Sequence, residues 1–171
     1  GVRAQFGTMA KPLHAGMAAA NGVEAALLAQ AGLVSNPDAL EAEHGFADTH
    51  MVQNLNTNIA LNHLGEYWMF EEVLHKYHAC CHGLHAAIEA LIKVRDQNNL
   101  NAENIKNISI TVAPRYLKIC NIMAPKTGLE AKFSFRLSAA MVFARRNTAV
   151  LSTFSDEACD NRELIALRDQ V

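Results

Sequence analysis

The stretch LHAAIEALIKVR (residues 84–95), followed by NISITV (residues 107–112), decides the expected fold. The apolar residues of the first segment recur at helical spacing: Leu84, Ala87, Ile88 and Leu91. In the second segment Ile108, Ile110 and Val112 alternate with polar residues, which is typical of a half-buried strand. A helix that packs against such a strand predicts an α+β fold. We expect the three alternating side chains to face the helix.

The segments on either side of this pair are expected to be mostly helical. Residues 14–33 are rich in good helix formers, and Asn36 followed by Pro37 predicts the start of a second, short helix. A further helix is expected over residues 56–63 and a strand over 67–73. The expected organisation is a partial helical domain (1–65), an α+β lid-like domain (66–151) and a return to the helical domain (152–171).

Composition and charge exclude several classes of function. The chain has 171 residues, with 15 Lys and Arg against 17 Asp and Glu and a net charge of −2. We therefore expect no nucleic-acid partner and no polybasic membrane-binding patch, and no stretch is long and apolar enough to span a bilayer. No leader is apparent, so we expect a cytoplasmic protein whose four cysteines are reduced thiols.

The fraction of charged residues is low for a soluble domain. Charged residues make up 19% of the chain, against about 25% in a usual soluble domain. Such a chain has relatively little solvated surface. It either forms a homo-oligomer or is a piece of a larger protein.

The segment Lys11-Pro12-Leu13-His14 is the first candidate site. Pro12 suits the start of a helix, which places Lys11 and His14 where the helix dipole disfavours cations. An external anion such as a carboxylate would compensate for them. The alternative is that both side chains point into water.

The second candidate site is HKYHACCHGLH (residues 75–85), which holds four histidines and two cysteines. A zinc site would need ligands that converge tetrahedrally. His78, His82 and His85 would share a face only if one helix ran through all three, and no CxxC pair is present, so we expect no metal. A histidine can both accept and donate a proton near neutral pH, and His85 would lie in the first turn of the helix. The alternative is that each histidine is structural.

Four segments carry a family resemblance in chain order: GTMAKPLHAGMAAANGVEAALLAQAGL (7–33), EAEHGF (41–46), KYHACCHGLHAAIEAL (76–91) and PKTGLEAKFSFRLSAAMVFA (125–144). Together they resemble the MmgE/PrpD family, which includes 2-methylcitrate dehydratase, cis-aconitate decarboxylase and iminodisuccinate epimerase. The resemblance implies a usually dimeric enzyme with a helical domain and an α+β lid. It also implies small di- or tricarboxylate substrates and no metal or organic cofactor.

The resemblance also assigns roles to single residues. Lys11 matches the family lysine that helps to bind a substrate carboxylate, and His85 matches the lid histidine implicated in proton transfer. His14 is a neighbour of the site, and Tyr116 lies near the position of a site tyrosine in some members.

Because family members are much longer, the resemblance also indicates an internal fragment, and two functional hypotheses follow. The first is a lyase or isomerase in which His85 moves a proton and Lys11 binds a carboxylate. The alternative is a truncated, non-catalytic module that folds and forms a homo-oligomer, with Ala19, Leu27 and Leu28 near a contact.

Overall fold

The computed structural model describes residues 2–50, 62–63 and 65–171. Contacts divide the chain into two units, one formed by the residues up to Gly16 together with Lys76–Val171, the other by Met17–His75. The described α-helices are α1 (Ala10–Gln30), α2 (Phe46–His50), α3 (His82–Gln97), α4 (Pro114–Cys120), α5 (Gly128–Ala131), α6 (Phe135–Phe143), α7 (Asp156–Asp160) and α8 (Arg162–Arg168). Short 3-10 helices lie at Arg3–Gln5, Met69–Glu72, Ala102–Asn104 and Leu151–Thr153.

Helix α6 is the centre of the larger unit. Eight of its nine residues are buried, and it packs against both α3 and α8. Leu84 and Ile88 of α3 are fully buried, and Leu164 and Leu167 of α8 are nearly so. Burial of each such side chain contributes about 1.5–3 kcal/mol, so this three-helix contact stabilises the unit.

Side-chain caps fix where the helices around this core begin. Ser134 accepts a hydrogen bond from the N–H of Leu137 at the start of α6, and Asn161 accepts one from the N–H of Leu164 at the start of α8. Thr127 and Ser155 cap α5 and α7 in the same way. Each cap satisfies an N–H group that the helix leaves free and contributes about 1 kcal/mol.

The N-terminal segment belongs to the larger unit. The ring of Phe6 stacks on that of Phe133, with centroids 5.2 Å apart. The next residue, Gly7, is buried at a positive φ of 84°, and a Cβ there would lie 3.3 Å from Cδ1 of Ile122. Residues 6 and 7 therefore pack against the segment that leads from α4 to α6.

The expected α+β class is wrong. Among the described residues no strand forms, and β-pairing is limited to one bridge between Asn121 and Ser134. This part of the chain is helical, with extended connections between helices. The predicted lid-like unit is therefore not α+β.

The segment over residues 107–112 explains much of this error. Ile108 is buried and Ile110 and Val112 are half-buried, while Ser109 and Thr111 are exposed. The predicted alternation is therefore present as a burial pattern. The backbone, however, has no neighbouring strand among the described residues, and the N–H of Ile108 donates instead to the carbonyl of Gln170 at 2.8 Å. Alternation indicates only which side chains face a hydrophobic surface. Here that surface includes helix α3, and Ile110 and Val112 line a cleft beside it.

The smaller unit also differs from expectation. The strand predicted over 67–73 is a 3-10 turn at Met69–Glu72, closed by a 2.9 Å hydrogen bond from the N–H of Glu71 to the carbonyl of Trp68. Asn36 accepts a hydrogen bond from the N–H of Asp38, but a series of turns follows there in place of the predicted helix. Most of the helix predicted over 56–63 lies outside the described residues. The division into these three domains stays a prediction.

No helix in the described ranges has the length and apolar character needed to cross a membrane.

Candidate functional site

The site is built where the first turn of α3 meets α4. Helix α3 begins at His82, so His82 and His85 lie three residues apart on one face. Gly83 lies between them, and a Cβ there would come within 2.9 Å of Cδ1 of Tyr116 and 3.1 Å of Sγ of Cys120. The absence of a side chain at residue 83 therefore lets α4 lie directly against α3.

A cavity of about 320 Å³ opens beside this contact. Its walls carry the polar side chains of His82, His85, Tyr116 and Thr111, and its apolar lining comes from Ala86, Ala87, Val112 and Ala113. A few polar groups in a mostly apolar pocket are typical of sites that orient a small ligand.

His85 is the most unusual group in this cavity. Its Nε2 atom is buried and has no hydrogen-bond partner among the described residues. Burial lowers the pKa of His85 below its usual value, and electrostatic repulsion from His78, His82 and Lys76 lowers the pKa further. A hydrogen bond to the backbone of His78 opposes these effects. The imidazole is therefore mostly neutral at pH 7.

His78 packs against His85 and is itself held in place by two hydrogen bonds. Its Nε2 bonds to the carboxylate of Glu89 at 2.9 Å and its Nδ1 to the hydroxyl of Thr148 at 2.8 Å. Both ring nitrogens are thus occupied, and the ring lies edge-on to that of His85 at 5.0 Å between centroids. We interpret His78 as a structural histidine that holds the orientation of His85.

Lys76 and Arg115 are cations of this region that sequence reasoning missed. Lys76 donates a hydrogen bond to the carbonyl of Cys80 at 2.9 Å and acts electrostatically on His85. Arg115 donates to the hydroxyl of Tyr116 at 3.2 Å, and its guanidinium lies 4.9 Å from the centre of that ring. The sequence does hold a signal for both cations, because Lys76 lies within the histidine-rich segment 75–85 and Arg115 directly precedes Tyr116.

Lys11 and His14 do not line this cavity. The ammonium of Lys11 lies over the rings of Phe6 and Phe133, 5.4 and 5.6 Å from their centres. The negative faces of two aromatic rings attract a cation, so this contact compensates for the unfavourable helix dipole without an external anion. His14 lies one turn further along α1 and is half-buried.

The structure thus brings together two of the four residues proposed from sequence, His85 and Tyr116, and adds His82 to them. Lys11, which the family resemblance assigns to carboxylate binding, does not share this cavity with His85. Within residues 2–50, 62–63 and 65–171, no group of three or more His, Cys, Asp or Glu side chains is arranged to hold a metal ion.

Comparison with known proteins agrees with the resemblance. The family model of the MmgE/PrpD N-terminal domain matches residues 1–57, and that of the C-terminal domain matches residues 78–171. Two curated relatives, both named cis-aconitate decarboxylase, come from Aspergillus terreus and from its strain NIH 2624 / FGSC A1156. Each is 26% identical over 174 residues, covering 94% of this chain and 35% of its own length. The chain therefore spans about a third of the relatives it matches, and it belongs to the MmgE/PrpD family.

Proposed function

We propose that the chain carries part of the active site of a lyase or isomerase that acts on small di- or tricarboxylates, with His85 as the residue that transfers a proton. The observation that carries this proposal is that His85 lines a cavity while its buried Nε2 atom has no hydrogen-bond partner among the described residues. A buried polar atom without a partner costs free energy, and a bound ligand would supply the missing hydrogen bond.

The protonation state of His85 suits this role. A histidine whose pKa lies below its usual value is neutral at pH 7, so it can accept a proton from a carbon atom next to a carboxylate. A substrate carboxylate would offset the positive neighbours, raise the pKa again and let the same ring return the proton. Dehydration and epimerisation would need His85 to remove a proton from carbon. Decarboxylation would need His85 to donate a proton to the carbon that the carbon dioxide leaves.

Cations near the cavity support a carboxylate substrate. Arg115 lies against Tyr116, and Lys76 lies close enough to His85 to lower its pKa. A guanidinium binds a carboxylate through two parallel hydrogen bonds. The proposal that Lys11 and His14 bind a second carboxylate rests on their place in the family motif. The names of the relatives favour decarboxylation of a substrate such as cis-aconitate.

The test is an assay of the purified chain with cis-aconitate and citrate, following release of carbon dioxide and exchange of carbon-bound hydrogen with deuterated water. We expect turnover or exchange that falls by about 10²–10⁴-fold in His85→Gln, as is usual when a general acid or base is removed. The control is His75→Gln, since His75 is exposed and does not line the cavity. Equal activity in the two variants would contradict the role of His85.

The alternative is a non-catalytic module, and exposed apolar side chains on α1 favour it. Met17, Val23 and Leu27 are 50–63% exposed although they lie within a 21-residue helix. A chain that lacks turnover but forms a homo-oligomer through this helix would support the alternative. Carboxylate binding that is lost in both His85→Gln and Arg115→Ala, without turnover, would indicate a surviving binding site.

A further inference from the structure

A second cleft continues the His85 cavity along helix α3. It has a volume of about 300 Å³, and its walls are formed by one side of α3 and by the extended segment 109–112. Four residues line both spaces, namely Ala86, Ala87, Thr111 and Val112. The cavity and the cleft are therefore two ends of one groove that follows α3.

The end of the groove that lies away from His85 is apolar. Leu91, Val94 and Ile110 line it, and the described residues that form its walls include no ionisable side chain. Ala86, Ala90 and Val94 recur at intervals of four residues along α3, so they lie on one face of the helix. The small side chains at residues 86 and 90 leave room beside the helix. Val94 is 47% exposed, and an apolar group in the groove would remove that surface from water.

The end of the groove that contains His85 lies beside positive charge. Lys76 acts electrostatically on His85, and the guanidinium of Arg115 lies 4.9 Å from the centre of the Tyr116 ring, which lines the groove. The carboxylate of Glu89, on the same helix, lines neither end. A groove with cations at one end and apolar walls along the rest is complementary to an anion that carries an apolar tail.

We propose that this groove binds a carboxylate with an unbranched alkyl chain, the carboxylate lying beside His85 and the chain lying along Ala86, Ala90 and Val94. This inference rests on the proposed function, since it places the carboxylate in the same cavity, and it adds alkyl-substituted acids to the substrate class. His85 and Val94 are about 13 Å apart along the helix axis at the usual helical rise, which accommodates a chain of medium length. Each methylene that is fully buried strengthens binding about fourfold.

A series of straight-chain carboxylates tests the groove in the unaltered full chain. Acetate, butanoate, octanoate and decanoate are titrated into the protein, and their affinities are measured by calorimetry and by the shifts of the histidine ring signals in NMR spectra. We expect the affinity to rise about two- to fourfold for each added methylene, because burial in an open groove is partial. Decanol has the same chain without the charge, and it should bind about tenfold more weakly than decanoate.

Two phenylalanine variants of α3 separate binding in the groove from binding elsewhere on the chain. Ala90→Phe fills the groove and should weaken the binding of decanoate about tenfold more than that of citrate. Gln97→Phe adds the same ring at an exposed position outside the groove, and it should bind decanoate as the unaltered chain does. His85→Gln should weaken the binding of both ligands.

Three results would overturn the proposal. The first is decanoate that binds no more tightly than butanoate, or equally to Ala90→Phe and Gln97→Phe. The second is decanoate binding that His85→Gln leaves unchanged, because the carboxylate would then not lie beside His85. The third is a dimer that Ala90→Phe dissociates in sedimentation while decanoate does not bind, because the groove would then be an interface between copies. The proposed function is judged separately, since citrate binding that His85→Gln abolishes supports it whatever the result with the alkyl chain.

Discussion

At the scale of single residues, the chemistry of His85, Tyr116 and Lys11 depends on what surrounds each side chain. The prediction selected His85 and Tyr116, and both line one cavity. It could not foresee that Lys11 lies over Phe6 and Phe133, because Phe133 is far from the other two residues in the chain. The helix dipole argument identified a cation in an unfavourable position, but aromatic rings can compensate for it as well as an anion can.

The lowered pKa of His85 predicts how stability changes with pH. The unfolded chain binds more protons than the folded chain between the lowered pKa and about 6.5, the usual value for histidine. The contribution of His85 to the free energy of unfolding is therefore fully present above about pH 6.5. It is lost as the pH falls through the pKa that His85 has in the folded chain. Urea unfolding at pH 7.5 and pH 5.5 should show a smaller loss of stability in His85→Gln than in the unaltered chain. A loss of the same size in both proteins would contradict this assignment.

At the scale of helices and connections, periodicity predicted which faces are buried but not how the backbone is paired. The helix predicted from the apolar spacing of residues 84–95 is confirmed as part of α3. The prediction was correct because the face with that apolar spacing packs against α6. The alternation at residues 107–112 was also correct as a burial pattern. A strand, however, needs a hydrogen-bonding neighbour, and a pattern within one segment holds no information about that neighbour.

The contact between α3 and α4 predicts an unequal response to two glycine substitutions. Gly83→Ala places a methyl group within 2.9 Å of Tyr116 and 3.1 Å of Cys120, and such overpacking costs about 1–3 kcal/mol. The control Gly22→Ala lies within α1, where a Cβ would meet nothing within 4 Å, and it should stabilise the helix by about 0.5–1 kcal/mol. Thermal or urea unfolding measures both. A Gly83→Ala chain as stable as the parent would show that the two helices are not held in close contact.

At the scale of the whole molecule, the exposed apolar surface of α1 predicts association. Leu27 is 59% exposed and Leu28 is 44% exposed, and extended apolar patches of this kind mark interaction sites. We expect a homo-oligomer at micromolar concentration, and we expect Leu27→Glu to shift it toward the monomer. Sedimentation velocity measures the shift, with Glu24→Gln on the same helix as the control. A parent chain that sediments as a monomer would count against this prediction.

The stacking of Phe6 on Phe133 has a consequence for recombination between family members. Phe6 lies in the part of the chain that matches the family's N-terminal domain, while Phe133 lies in the part that matches its C-terminal domain. The boundary between the two family domains is therefore not a neutral crossover point. A chimera that joins the front of one homologue to the back of another would separate two rings that fit each other, together with the lysine over them. Exchanges that keep residues 6–11 with their own residue 133 should fold better than those that divide them.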